Sequence, residues 1–129
     1  MQDTQISLTE AEWTVMECLW EKAPRTGRET CEYLSKSMGW SRSTVLTLLR
    51  RLEAKEAVAG DTKGELKTFR PTIAREEAAR QEAQSLLSRV YRGSLSLLVS
   101  SLTKKEKLSQ KEIDELYTIL REMEEENRD

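Results

Sequence analysis

The chain has 129 residues and a net charge of −2, with 34% charged and 37% hydrophobic residues. With 3 Trp, 3 Tyr and 1 Phe, a single large core is disfavoured unless a second chain contributes surface, which points to a dimer. Histidine is absent and the two cysteines lack metal-ligand spacing, so we expect no metal and no cofactor.

The composition also bears on compartment and reaction class. No apolar run reaches the length of about 18 residues that a membrane span needs, and residues 1–5 lack the features of a signal peptide. We therefore expect a soluble, cytoplasmic protein without membrane insertion. An enzyme is disfavoured because the chain offers no nucleophile beside an activating base.

Two capping boxes open the N-terminal half. Thr9 with Glu12 predicts a helix from Leu8 to Trp20, and Thr26 with Glu29 predicts a second over 26–37. A glycine then predicts the end of the second helix. The apolar residues expected to face the core are Val15, Met16, Leu19 and Trp20 in the first helix and Cys31, Leu34 and Met38 in the second.

A third helix, at about 41–55, has two different faces. Its packing face comprises Val45, Leu48, Leu49 and Leu52. The rest of the helix carries hydroxyl and guanidinium groups, which suit phosphates and base edges. The residues predicted to contact DNA are Ser41, Arg42, Ser43, Thr44, Thr47, Arg50 and Arg51.

A hairpin at about 58–71 follows, because two short extended runs flank a Lys-Gly centre. Three helices and then a basic hairpin are the order of a winged helix, in which the third helix is the recognition helix. Lys63 and Lys67 are predicted to contact phosphates from this wing. The segment 41–75 carries a net charge of +4, whereas 76–129 carries −3, so the basic surface is local.

The C-terminal part predicts a second module. Apolar residues recur at helical spacing from Ile73 to Leu102, and Gly93 should loosen or bend this helix. Ser109 with Glu112 predicts the start of a last helix. A small winged-helix core cannot cover this stripe, and homodimerisation is the simplest interpretation. The predicted dimer contacts are Leu86, Val90, Leu97, Leu98, Leu116 and Leu120.

The predicted architecture is therefore mainly α with a small β-hairpin wing. We expect a winged helix-turn-helix DNA-binding domain at 1–72 and a helical dimerisation domain at 73–129. Another protein or a membrane surface could also cover the apolar stripe, but the acidic residues of its polar face argue against a membrane.

Three blocks of residues resemble the BlaI/MecI family of penicillinase and methicillin-resistance repressors. They are 8–13 with Leu19-Trp20, 43–52, and 91–95 with 108–116. The resemblance implies a homodimeric repressor that binds palindromic operators. It also implies inactivation by proteolysis in the dimerisation domain after a membrane sensor detects a β-lactam.

Two departures from the family bear on the signal. The family's Asn-Phe cleavage pair aligns with Ser101 and Leu102. The copper-responsive branch has a cysteine-rich C-terminus, whereas 76–129 holds no cysteine, which disfavours Cu(I). The alternatives are a family repressor with another signal and a winged-helix module that binds only protein.

Overall fold

The computed structural model describes residues 5–128, which form a mainly helical protein with a small antiparallel sheet. This confirms the predicted fold class. In chain order the elements are α1 (Glu10–Glu21), β1 (Arg25–Thr26), α2 (Gly27–Met38), α3 (Arg42–Ala54), β2 (Val58–Lys63), β3 (Leu66–Pro71), α4 (Arg75–Tyr91), α5 (Leu95–Thr103) and α6 (Gln110–Glu126).

Local side-chain bonds define the helix starts. Both reciprocal bonds of the capping box form at Thr9 with Glu12 and at Thr26 with Glu29, as predicted. The predicted box before α6 forms only in part. The Ser109 hydroxyl accepts a hydrogen bond from the Glu112 amide, which is the first bond of the box. The Glu112 carboxylate contacts that hydroxyl at 3.4 Å and not the Ser109 backbone amide, so the second bond of the box does not form.

The structure has two compact units, 5–85 and 86–128. The core of the first unit lies between α1, α2, α3 and the sheet, and its largest buried apolar side chains are Met16, Leu19, Leu34, Leu49 and Leu52. The prediction that Met38 faces the core was wrong, because this residue in the last turn of α2 is 49% exposed.

The sheet has the strand order β1-β3-β2. Gly60 pairs with Phe69 and Thr62 with Lys67, whereas β1 pairs only with Thr68 and Phe69 of β3. The half of the hairpin nearer its tip is therefore a two-stranded ribbon. Such a ribbon is only marginally stable alone.

The first turns of α4 pack within the first unit. The Trp20 indole donates to the Ile73 carbonyl at 2.9 Å, and Arg75 donates two bonds to the Glu17 carboxylate at 2.8 and 2.9 Å. The Gln81 side chain is buried and accepts from the Ile6 amide. Residues 73–85 thus pack within the first unit, while the domain division at residue 72 stays a prediction.

The second unit contains the end of α4 with α5 and α6. Gly93 has a φ of 83°, in the left-handed region, and the helix that was predicted to loosen or bend there is instead divided into α4 and α5. Between residues 86 and 128 no side chain is buried. Within the described range 5–128, we find no helix with the length and apolar character of a membrane span.

Candidate nucleic-acid interface

Helix α3 has the two faces that its sequence predicts. Val45, Leu48, Leu49 and Leu52 are all buried in the core. The seven residues predicted to contact DNA from this region, six in α3 and its N-cap Ser41, are all exposed. The packing of one face therefore presents a row of hydroxyl and guanidinium groups to solvent.

The N-terminus of α3 is suited to an anion. Ser41 caps the helix by accepting from the Thr44 amide at 3.3 Å, and its hydroxyl also lies 3.0 Å from the Thr44 hydroxyl and 3.2 Å from that of Ser43. The first turns of α1 and α2 carry acidic residues, but that of α3 carries none. The partial positive charge at this helix end is therefore left for a ligand.

The arginines of α3 are available to a partner. Among residues 5–128, neither Arg42 nor Arg51 has a carboxylate within ion-pair distance. The Arg50 Nε lies 3.5 Å from the Leu46 carbonyl of the same helix, a weak contact. These guanidinium groups can form charge-assisted bonds with phosphate without first breaking an internal ion pair.

The two lysines predicted for the wing have different surroundings. Lys63 is exposed beside the turn and has no ion-pair partner within the described part of the chain. The Lys67 ammonium lies 2.9 Å from a carboxylate oxygen of Glu53 in α3. Because successive strand residues alternate in direction, Lys63 and Lys67 also point to opposite faces of the ribbon.

Some of the positive charge of 41–75 is internal to the protein. Arg70 pairs with Asp61 at 2.9 Å across the wing. Lys55 donates to the carboxylate of Glu12 in α1 and to the Ser7 carbonyl. The pairing of Glu12 with Lys55 was not predicted, because these residues are 43 positions apart. Lys55 and Arg70 are therefore not free to bind DNA, although both count toward the net charge of 41–75.

The predicted dimer contacts all lie in the second unit. Leu86, Val90, Leu97, Leu116 and Leu120 are between 38% and 51% exposed, and Leu98 is half-buried. Leu95, Leu102, Ile119 and Met123 add further exposed apolar surface beyond the predicted dimer contacts.

The predicted cleavage pair lies in the last turn of α5. Leu102 is 64% exposed, and the Ser101 hydroxyl accepts a hydrogen bond from the Tyr91 hydroxyl at 3.3 Å. Both residues are thus at the surface, two positions or fewer from the end of the helix.

Comparison with known proteins identifies relatives for nearly the whole chain. The sequence model of the penicillinase repressor family matches residues 8–122. The chain is 33% identical to the penicillinase repressor of Bacillus licheniformis over 89% of its own length and 90% of that protein's. It is 28% identical to the methicillin resistance regulatory protein MecI of Staphylococcus aureus, over 93% and 98% of the two chains.

A solved structure resembles part of the chain. It is that of monomeric Bacillus licheniformis BlaI in complex with the blaP half-operator, with a TM-score of 0.52 and 28% identity. The similarity covers 60% of this chain and 93% of the BlaI chain.

Proposed function

We propose that this chain, which belongs to the penicillinase repressor family of transcriptional repressors, is a homodimer that represses genes by binding a palindromic operator. The family consists of regulators and not of enzymes, as the sequence predicts. In this proposal α3 enters the major groove and the wing contacts the neighbouring backbone. Regulation of an antibiotic-resistance gene is the role that the relatives suggest.

The exposed face of α3 carries the proposal. An ordinary solvated helix face mixes glutamate with lysine, whereas the first turn here presents hydroxyls beside an uncompensated helix N-terminus. We propose that Thr47 and Arg50 read bases, with Ser43 beside them. Ser41, Arg42, Thr44 and Arg51 on the flanks, together with Lys63 of the wing, contact the backbone.

The test compares one arginine on two DNA sequences. Arg50→Ala should weaken binding to the inverted repeat upstream of the encoding gene by about 1–3 kcal/mol and weaken binding to random duplex less. Arg128→Ala, in the exposed C-terminal tail, is the matched control and should leave both affinities unchanged. Equal losses on both sequences would reassign Arg50 to a phosphate.

The salt dependence of binding separates this function from that of a module that binds only protein. Neutralisation of several phosphates requires log K to fall linearly with log salt concentration, by about 0.9 per phosphate. Failure of the wild-type chain to bind duplex DNA at low salt would favour the protein-only module.

Dimerisation is supported by the unburied state of the second unit. A unit of 43 described residues without a buried side chain lacks the hydrophobic core that stabilises a fold. A second copy of the chain can supply the missing surface, and two-fold symmetry matches a palindromic operator.

Release by proteolysis is the proposed response to the membrane sensor. A cut between Ser101 and Leu102 would separate α6 from the rest of the chain, and loss of the link between two DNA-binding units would weaken operator binding by about 10²–10⁴-fold. The pair lies near the C-terminal end of α5, where local unwinding costs little because helix ends fray.

Mass spectrometry can test this response. The chain is co-expressed with the sensor encoded beside it, a β-lactam is added, and chain length is followed. A fragment ending at Ser101 supports cleavage. A full-length chain together with derepression would show that another signal acts.

A further inference from the structure

The carboxylate of Glu53 meets the ammonium of Lys67 directly over Gly60. Glu53 is in the last turn of α3, Lys67 is in β3, and the ends of both side chains lie against Gly60 of β2. A Cβ atom at Gly60 would lie 2.5 Å from Cε of Lys67 and 2.6 Å from Oε2 of Glu53. Both distances are shorter than real Cβ contacts, so the ion pair occupies the space that a glycine leaves, and a Cβ here would have to displace the ends of both side chains.

Lys67 makes a second contact that directs it toward the core. Its Nζ lies 5.3 Å from the ring centroid of Phe69, a buried residue of the same strand. The register places Gly60 opposite Phe69 and Thr62 opposite Lys67. The lysine side chain therefore lies back along the face of the ribbon that is directed toward the helices.

The position of this ion pair along the hairpin gives it a structural consequence. Pairing with β1 ends at Thr68, so the rung of Thr62 and Lys67 is the first one without a third strand. A two-stranded ribbon beyond that point is free to twist or bend. An ion pair to α3 at this rung restricts the ribbon at the point where the pairing of β3 with β1 stops.

We infer that Glu53, Gly60 and Lys67 form a tether that fixes the wing relative to the recognition helix, so that Lys67 positions the wing and does not bind a phosphate. This inference rests on the proposed operator binding and revises the role first predicted for Lys67. A phosphate could bind Lys67 only by displacing the Glu53 carboxylate, which lies 2.9 Å from the ammonium. The displaced carboxylate would then remain unpaired close to DNA.

Operator titration distinguishes the two roles of Lys67. As a tether, Lys67→Gln should weaken operator binding about 3–10-fold and leave the salt slope unchanged, whereas a phosphate ligand would lose about 0.9 units of slope. Glu53→Gln should weaken binding to a similar extent, and the double variant should be no weaker than either single variant. If Lys67 binds phosphate, Glu53→Gln should instead strengthen binding.

Removal of any carboxylate near DNA reduces repulsion, and Glu65→Gln controls for that effect. Glu65 is exposed near the wing turn, without an ion-pair partner among residues 5–128. The tether predicts that Glu53→Gln binds more weakly than Glu65→Gln. Gly60→Ala, which changes no charge, should weaken binding in the same direction, because its Cβ displaces the ends of both side chains from their present contact.

Amide hydrogen exchange of the DNA-free protein provides an independent readout. Glu53→Gln and Lys67→Gln should each speed exchange at Lys63 and Leu66, the hydrogen-bonded pair that closes the two-residue turn, by about threefold or more. Phe69, which pairs with Arg25 of β1, should keep its rate. Unchanged exchange, or a lost unit of salt slope in Lys67→Gln, would overturn the tether. Failure of the wild-type chain to bind duplex would refute the proposed function, while the exchange result would still decide the tether.

Discussion

A partly buried ion pair joins the start of the first helix to the end of the recognition helix. The Glu12 side chain is 1% exposed, and its carboxylate accepts from the Thr9 amide at 2.8 Å and from Lys55 Nζ at 2.5 Å. Lys55 also donates to the Ser7 carbonyl at 2.7 Å. Replacement of Lys55 by Met keeps the apolar stem but leaves the carboxylate without its cation.

The expected loss of stability is large for one residue. Removal of one partner of a fully buried ion pair costs about 3–5 kcal/mol. Lys55 is 36% exposed, so water can reach part of the site, and we expect Lys55→Met to lower the free energy of unfolding by about 2–3 kcal/mol. Lys63→Met, at an exposed position without an ion pair, should change it by less than about 0.5 kcal/mol.

The pH dependence of this loss has a definite sign. Burial acts to raise the pKa of Glu12, but hydrogen bonds from Lys55 and the Thr9 amide outweigh it, and the pKa lies below its ordinary value of 4.5. This stabilisation is complete above pH 4.5 and is lost as the pH falls through the lower, folded-state pKa. Without Lys55, burial should raise the pKa of Glu12, so protonation would stabilise the variant.

Urea unfolding of the full chain at fixed concentration measures both effects. The deficit of Lys55→Met relative to wild type should be largest near pH 7 and should shrink toward pH 4.5. In the double variant with Glu12→Gln, which removes the buried charge, part of the loss should be recovered. A deficit below about 0.5 kcal/mol, or one that does not change with pH, would refute the stated role of this ion pair.

Three further predictions concern the backbone, the dimer and the domain boundary. Glu56 has a φ of 64°, so Glu56→Gly should raise the melting temperature by relieving strain of up to about 1 kcal/mol, and a lower melting temperature would contradict this. Leu116→Asp should yield monomers in sedimentation and weaken operator binding by about 10²–10⁴-fold, whereas Thr118→Asp, on the opposite side of α6, should remain dimeric. A chain truncated after residue 85 should unfold cooperatively. A chain truncated after residue 72 lacks Arg75 and Gln81 and should be less stable by about 2–4 kcal/mol. Equal stabilities of the two chains would contradict the packing of α4 within the first unit.

Local signals predicted much of the first unit. The boxes at Thr9 and Thr26 and the cap at Ser41 depend on residues three positions apart, and the structure contains all three. The buried stripe of α3 follows from helical periodicity in the same way. Met38 interrupts the corresponding stripe of α2 because the helix ends at this residue and its side chain extends beyond the core.

Contacts between distant residues could not be predicted from one sequence. The partner of Lys67 is 14 positions away in another element, and that of Lys55 is 43 positions away. Strand β1 is only two polar residues long, too short for a periodic pattern. The packing of Arg75 on Glu17 likewise joins residues 58 positions apart, so the helical pattern from Ile73 onward gave no sign that its first turns complete the winged helix.

Footprinting of the DNA upstream of the encoding gene tests the proposed repressor function most directly. Two copies of α3 related by two-fold symmetry should protect two half-sites of an inverted repeat, with their centres one helical turn, or a multiple of it, apart. Arg50→Ala should lose this protection before it loses non-specific retardation of DNA. Uniform protection without a preferred site, or a single unpaired half-site at saturating protein, would contradict a dimeric operator-binding repressor.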